Sequence, residues 1–178
     1  MTSHPVVLQS YTAIVALCAA VMDVRTRRIP NWFTLSAFAG ALLLQVAIGG
    51  LHALALSFVA SLLAGSLFLV LFLAGGMGGG DVKLIAAIAA GVGLPDTGAL
   101  LVFTALCGGV MAIMVILWHG RPLASVRNVG HIMAHHCEYG LQPHPEFNVR
   151  NSRNLRLPYA LAITAGTLLT ISLEKAGQ

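Results

Sequence analysis

Two aspartates stand at points where long apolar segments give way to basic or flexible residues. Asp23 begins the segment DVRTRRIPN, and Asp81 directly follows a glycine run in GGMGGGDVKL. Two carboxylates that meet in a pocket of low dielectric cannot both ionise cheaply, so they share one proton and their pKa values separate. Such a pair supplies a base that takes a proton from water and an acid that polarises a carbonyl group. The two aspartates are therefore candidates for the hydrolysis of a peptide bond.

Each aspartate also has an interpretation that involves no chemistry. Asp23 can be a helix-end carboxylate that pairs with Arg25 or Arg27, and Asp81 can cap the helix that follows the glycines. The pair favours chemistry, because ionisable groups at a membrane boundary are energetically unfavourable and are usually functional. The glycines before Asp81 would also let an extended substrate backbone come close to the acid.

The composition is that of a membrane protein. The chain has 178 residues, of which 57% are apolar and 9% charged, and its mean hydropathy is +0.85. Three distant cysteines form no CxxC pair, and His131 and His135 are fewer than the four ligands of a zinc site, so we predict no metal and no cofactor. Ten Lys and Arg exceed six Asp and Glu. The basic residues flank apolar runs, which favours a role in topology over nucleic-acid binding.

The apolar segments predict an all-α, polytopic membrane protein with a single domain over residues 1–178. A spanning helix needs roughly 20 apolar residues, and one of six candidate segments is shorter than this. The predicted spans are 5–22, 32–49, 51–74, 82–94, 97–118 and 157–174. Irregular backbone at membrane depth must be buried in protein or reached by water. We therefore expect residues 75–80, next to the short span, to dip inwards and line a wet pocket.

The distribution of basic residues predicts the orientation in the membrane. With six spans and the N-terminus outside, nine of the ten Lys and Arg residues lie on the cytoplasmic side, as the positive-inside rule requires. Asp23 and Asp81 then lie at the same cytoplasmic boundary. The long polar stretch 119–156 becomes a cytoplasmic loop, and its apolar periodicity predicts a helix on the membrane surface over about 123–137.

Three segments resemble those of a known enzyme family. DVRTRRIPN (23–31) and GGGDVKL (78–84) together resemble the paired signature of the bacterial type IV prepilin peptidases, membrane aspartic proteases of the GxGD class. LPYALAITAG (157–166) resembles the final helix of that family. The three segments span almost the whole chain and follow one another in the expected order.

The resemblance implies a function for specific residues. Asp23 and Asp81 correspond to the catalytic dyad, and Gly78 and Gly80 to the fixed glycines of GxGD. The family removes a short basic leader from prepilins at the cytoplasmic face of the inner membrane, after a glycine and just before the hydrophobic helix of the pilin. The expected partners are therefore a prepilin or pseudopilin substrate and membrane lipid, with no nucleic acid.

This chain departs from the larger members of the family in one respect. Those members carry two CxxC pairs in a cytoplasmic insertion and also methylate the new N-terminus, whereas this chain contains no such pairs. It resembles the short, peptidase-only branch that is often associated with Flp/Tad-type pili, so we expect no methyltransferase activity.

Further residues are predicted to shape the site or the helix packing. Lys83 can bias the charge of the two acids or extend to the membrane interface, and Arg25 can orient Asp23 or contact lipid. Small residues in the last span predict close helix packing, and aromatic residues at span ends predict interface anchors. The residues concerned are Gly79, Pro30 and Asn31 for the site, Ala162 and Gly166 for packing, and Trp32 and Tyr159 as anchors.

Two other classes of function also use these residues. A proton-coupled transporter or channel can use two acids as a relay, but such proteins favour acids at mid-bilayer and often contain a repeat, and no repeat is visible here. An inactive scaffold of a pilus or secretion assembly is the other alternative. The intact acids and glycines favour the peptidase.

Overall fold

The computed structural model describes residues 6–118, Gly140 and 158–176, and these residues form five α-helices with no strand. The all-α prediction is thus confirmed for this part of the chain. The predicted cytoplasmic loop and its surface helix lie outside the described residues. The helices are α1 (Val6–Thr26), α2 (Asn31–Leu73), α3 (Gly79–Val92), α4 (Leu94–Trp118) and α5 (Tyr159–Ala176).

The long helix α2 folds back on itself at Gly50. Gly50 has the non-helical angles φ 66° and ψ −162°, which glycine adopts readily because it lacks a Cβ atom. Gln45 Nε2 and Ser57 Oγ both donate hydrogen bonds to the Ala90 carbonyl oxygen, at 3.1 and 2.7 Å. In a straight helix these two side chains would be about 18 Å apart. The chain therefore reverses between α2a (31–49) and α2b (51–73), where the sequence predicted a boundary between two spans.

The short helix α3 is the centre of the bundle. Its side chains Leu84, Ile85 and Ile88 are at most 1% exposed, and α1, α2, α4 and α5 all pack against it. With 14 residues, α3 is about 21 Å long, less than the roughly 30 Å of a hydrocarbon core. The two hydrogen bonds to the Ala90 carbonyl oxygen satisfy a group that has no partner within its own helix end. Enclosure by the other helices explains how so short a helix is tolerated.

Three of the described helices, α1, α2 and α4, are long and apolar enough to cross a membrane. The 43 residues of α2 are enough for two crossings of about 20 residues each when the helix is bent. The helices α3 and α5, with 14 and 18 residues, are shorter or less apolar. The membrane-length helices support a membrane protein, and the count of six spans stays a prediction.

The packing of α5 against α4 depends on small residues, as the sequence predicted. A Cβ atom added to Gly166 would lie 2.7 Å from the Thr104 backbone nitrogen, a distance that van der Waals contact does not permit. One added to Gly108 would lie 3.7 Å from the Ala162 Cβ atom, an ordinary contact. The two helices therefore approach closely at Gly166, which sets the position of α5 relative to the rest of the bundle.

Candidate active site

The two segments that carry the aspartates contact each other in the folded chain. Ile29 packs against Gly80, where an added Cβ atom would lie 3.4 Å from the Ile29 Cβ atom. Two or three residues further along the two segments, the Lys83 ammonium group donates a hydrogen bond to Asn31 Oδ1 at 2.9 Å. These contacts join the connection between α1 and α2 to the start of α3. They place Asp23 and Asp81 at the same end of the bundle.

Glycines end one helix and begin the next on the way to Asp81. The Gly75 and Gly76 N–H groups donate hydrogen bonds to the carbonyl oxygens of Phe72, at 3.0 Å, and Leu71, at 2.9 Å. This is the Schellman pattern that terminates helices, and Gly75 has the positive φ of 80° that it requires. Met77 follows with only 4% exposure. The connection is therefore compact, and the wet pocket predicted over residues 75–80 stays a prediction.

Asp81 is held by its own loop. The Gly78 N–H group donates a hydrogen bond to Asp81 Oδ2 at 3.2 Å, and the Asp81 N–H group donates one to the Gly78 carbonyl oxygen at 3.2 Å. The carboxylate thus satisfies a backbone donor at the start of α3, which is the capping role that the sequence allowed. A Cβ atom on Gly78 would lie 3.2 Å from Asp81 Oδ2. A side chain at position 78 would therefore displace the Asp81 carboxylate.

Asp23 is held by a segment far away in the sequence. The half-buried carboxylate accepts a hydrogen bond from the Ala160 N–H group in the first turn of α5. The first N–H groups of a helix have no partner in their own helix, and the helix dipole favours negative charge there. The positive charge of Arg27 also acts on Asp23. Arg27 has a left-handed φ of 52°, and its N–H group donates to the Asp23 carbonyl oxygen at 2.7 Å, which ends α1.

The two carboxylates are electrostatically coupled. Burial and the negative charge of Asp23 raise the pKa of Asp81 to about 6, against the stabilising effect of the Gly78 N–H group on the ionised form. Asp81 lies at the boundary, outside the predicted span 82–94. A carboxyl group with this pKa retains a proton under conditions in which an ordinary aspartate has lost it. The pair can therefore hold one proton between its two members.

Tyr159 lies at the site and was not predicted to do so. The sequence indicated an aromatic anchor at the membrane interface, but the residue is half-buried, and the charge of Asp81 acts on its hydroxyl group. The next residue, Ala160, provides the N–H group that binds Asp23. The start of α5 thus interacts electrostatically with both acids. The one signal in the sequence was the position of Tyr159 in the segment LPYALAITAG.

Within the described part of the chain, the contacts of the remaining predicted site residues are with neighbouring helix residues and not with the acids. The Pro30 carbonyl oxygen accepts hydrogen bonds from the Phe33 N–H group at 3.1 Å and the Thr34 N–H group at 3.3 Å, so Pro30 starts α2. Arg25 is exposed. A Cβ atom on Gly79 would be in ordinary contact with the Phe72 ring at 3.5 Å. Of these residues, Pro30 and Gly79 thus lie at the starts of α2 and α3.

The fold and the site together define a helical bundle in which two coupled carboxylates lie at one end, an arrangement suited to acid–base hydrolysis. The sequence model of the type IV leader peptidase family matches residues 10–113, a range that contains both aspartates. Because this match covers more than half of the 178 residues, the chain belongs to the type IV leader peptidase family. The resemblance noted from the motifs is thereby confirmed. No curated protein and no solved structure matches the chain.

Proposed function

We propose that this protein is an aspartic endopeptidase that removes the basic leader of type IV prepilin-like proteins, with Asp23 and Asp81 as its catalytic dyad. The observation that carries the proposal is the electrostatic coupling of these two carboxylates at one end of the bundle. Membership of the type IV leader peptidase family supports the class of reaction and of substrate. The substrate is a prepilin or pseudopilin whose leader precedes a hydrophobic helix.

The environments of the two acids favour different roles in the reaction. Asp81 holds the shared proton, because burial and the charge of Asp23 raise its pKa. Burial raises the pKa of Asp23 as well, but the Ala160 N–H group and Arg27 oppose this shift by stabilising its negative charge, so we assign Asp23 as the ionised partner. In the proposed mechanism Asp23 acts as the base and Asp81 as the acid, and neither a metal nor a covalent intermediate is needed.

The proposed reaction balances its protons within the dyad. Asp23 takes a proton from water while the water oxygen forms a bond to the scissile carbonyl carbon, and the Asp81 carboxyl group gives its proton to the carbonyl oxygen. When the tetrahedral intermediate collapses, the C–N bond breaks, and the amine nitrogen receives the proton that Asp23 had taken. The oxygen returns its proton to Asp81. Glycines beside Asp81 leave room for the extended substrate backbone to reach the acid.

The topology and biological setting are part of the same proposal. Six spans with the N-terminus outside would put both acids at the cytoplasmic face of the inner membrane, where nine of the ten basic residues gather. The missing CxxC pairs favour a peptidase without methyltransferase activity. The same absence favours a role in Flp/Tad-type pilus assembly.

Co-expression with a prepilin tests the proposal. A type IV prepilin with a glycine-ended leader is produced together with the parent protein or with Asp23→Asn or Asp81→Asn, and leader removal is followed by gel shift and by the mass of the new N-terminus. Each variant should lose at least about 100-fold in cleavage rate, because acid–base groups contribute roughly 10²–10⁴-fold. Asp96→Asn in the first turn of α4 is the matched control and should cleave like the parent.

Two outcomes would contradict parts of this proposal. Substantial turnover by either dyad variant would exclude the Asp23/Asp81 assignment. A parent protein that is correctly inserted but cleaves none of several prepilins would exclude the peptidase function. A proton relay or an assembly scaffold would then be the next function to test.

A further inference from the structure

A groove of about 370 Å³ runs between α2b and α4 and reaches the start of α5. Its volume lies within the roughly 300–1,000 Å³ of typical ligand sites. Leu67 and Leu71 of α2b form one wall. The lining residues on α4 extend from Leu101 to Ala112, which is about three turns or 16 Å of helix. The groove is therefore long enough to take several turns of another helix.

The groove reaches a residue on which one of the two acids acts. Tyr159 lines it, and the charge of Asp81 acts on the hydroxyl group of the same residue. On the predicted topology α4 runs towards the cytoplasmic face, so Ala112 lies nearer to the level of the acids than Leu101. A substrate held in the groove would thus extend from the acids into the membrane.

The floor of the groove consists of small residues and one buried hydroxyl group. Ala105, Gly108, Gly109 and Ala112 would let a second helix approach α4 closely. Thr104 also lines the groove and is only 2% exposed, yet its Oγ1 atom has no hydrogen-bond partner among the described residues. A buried polar group without a partner is energetically unfavourable. The Oγ1 atom lies against Gly166 of α5, so it belongs to the packing of α4 on α5, and the small residues are what the floor offers to a bound helix.

A second groove of about 390 Å³ fits the substrate less well. It is lined by Asn31 and Lys83, which are hydrogen-bonded to each other, and by residues of both halves of α2. Residues i and i+2 of a helix point in nearly opposite directions, so Lys83 and this groove lie on a different face of α3 from Asp81. The positive charge of Lys83 at its edge would also repel a basic leader.

We propose that the groove between α2b and α4 binds the apolar helix that follows the scissile bond of the substrate. This inference rests on the proposed function. Cleavage at the acids requires the bond to lie beside Asp81, and the helix that follows must then continue into the membrane. The groove starts at Tyr159, beside Asp81, and offers an apolar wall and a floor of small residues along that path.

Gly109 allows the groove to be filled without disturbing the fold. No atom lies within 4 Å of a Cβ atom added there, and the same holds for Gly98 in the same helix. Gly98 lies outside the groove lining, about three turns from Gly109. Gly109→Leu therefore places a large side chain in the groove, and Gly98→Leu makes the same chemical change of α4 outside it.

The test measures kcat/KM for a membrane-embedded prepilin with both variants and the parent. Gly109→Leu should lower kcat/KM by at least about tenfold, the effect of overpacking a close helix contact, whereas Gly98→Leu should stay within about twofold. If the parent cleaves and the kcat/KM of Gly109→Leu stays within about twofold of the parental value, the groove does not bind the substrate helix. The proposed function would then remain intact. A parent that cleaves nothing would instead overturn the proposed function, and the groove inference with it.

Photo-cross-linking keeps the test decisive if Gly109→Leu proves unstable. A photo-reactive side chain at position 109, in the Asp81→Asn protein, should attach to the apolar helix of the prepilin, and one at position 98 should attach far less. Attachment from position 109 only to lipid, or to another part of the same chain, would overturn the proposal. Each of these products is distinguished by mass spectrometry.

Discussion

The two acids of the proposed dyad are held in place in contrasting ways. The Asp81 carboxylate accepts its hydrogen bond from Gly78, three residues earlier in the same loop. The Asp23 carboxylate accepts its hydrogen bond from Ala160, at the other end of the chain. The position of α5 is itself set by long-range contacts, such as the hydrogen bond from Thr164 Oγ1 to the Ala16 carbonyl oxygen at 2.8 Å.

The two acids should therefore respond differently to mutation. A change in the glycine loop should displace Asp81 and leave the bundle intact, because its contacts are local. A change in the packing of α5 should affect Asp23 and the stability of the whole bundle together. Substitutions at glycines can test the two cases separately, since each glycine has a defined neighbour.

Of these substitutions, the largest effect on cleavage is expected from Gly78→Ala, which acts on Asp81 alone. The new Cβ atom would lie 3.2 Å from Asp81 Oδ2 and would push the carboxylate out of position. The carboxylate must move by a few tenths of an ångström, less than the displacement of about 1 Å that can lower a rate by roughly 100-fold, so we expect prepilin cleavage to slow by about tenfold with little change in thermal stability. Gly79→Ala is the matched control, because its Cβ atom meets only the Phe72 ring at 3.5 Å. Its cleavage rate should fall less than that of Gly78→Ala.

Equal cleavage rates for these two variants would show that the local hydrogen bond does not position Asp81. Thermal unfolding in detergent is measured for both proteins in parallel. Similar melting curves are required for a difference in rate to report on the site rather than on the fold.

A smaller effect, on stability, is expected from Gly166→Ala. The added Cβ atom would lie 2.7 Å from the Thr104 backbone nitrogen, so α5 must move away from α4. Overpacking of this kind lowers the free energy of unfolding by about 1–3 kcal/mol. Cleavage should fall as well, because Ala160 of α5 binds Asp23. Gly98→Ala, which meets open space, should leave the unfolding free energy unchanged or raise it by less than about 1 kcal/mol.

The measurement is the unfolding midpoint of each variant in the same detergent. If Gly166→Ala melts like the parent, close packing of α5 against α4 does not determine the stability of the bundle. If it melts lower but cleaves at the parental rate, the hydrogen bond from α5 is dispensable for Asp23.

An effect of similar size is expected in the pH dependence of stability. The folded protein raises the pKa of Asp81 to about 6 from the ordinary value of 3.8, so between these values the folded state binds more protons than the unfolded state. The free energy of unfolding should therefore decrease as pH rises from about 4 to about 6. Asp81→Asn should remove this decrease, a change of up to about 3 kcal/mol for a pKa difference of about two units.

Unfolding of the parent and of Asp81→Asn is measured at several pH values across this window. Gly98→Ala, which changes no titratable group and meets open space, is the control and should keep the parental slope. Identical slopes for the parent and Asp81→Asn would show that the carboxyl group has no raised pKa in the folded protein.

Several features of the fold were predictable because they depend on local sequence. The break in α2 at Gly50 and the stop at Gly75 both use positive φ angles that glycine adopts without strain. The start of α3 at Gly79, after its N-cap Gly78, follows from the same run of glycines. Apolar runs predicted helices, because a backbone in lipid must satisfy its own hydrogen bonds.

Part of the candidate site was predictable for a different reason. Asp23 and Asp81 are charged residues in an otherwise apolar chain, so their residue type marked them as candidates before any contact was known. Their environment was not predictable. Interpretation of Tyr159 as an interface anchor followed from its place at a span end, and only the packing of α5 puts it next to Asp81.

The sequence by itself determined the all-helical character, the helix ends at glycines and the two acids, because residue type and short-range backbone geometry decide these features. Tertiary structure alone decided that the Ala160 N–H group binds Asp23, that α3 lies at the centre of the bundle, and that a groove opens beside Tyr159. These features depend on how closely distant helices approach. That distance is set by side-chain volumes across an interface, such as Gly166 against Thr104, and not by any one segment of the chain.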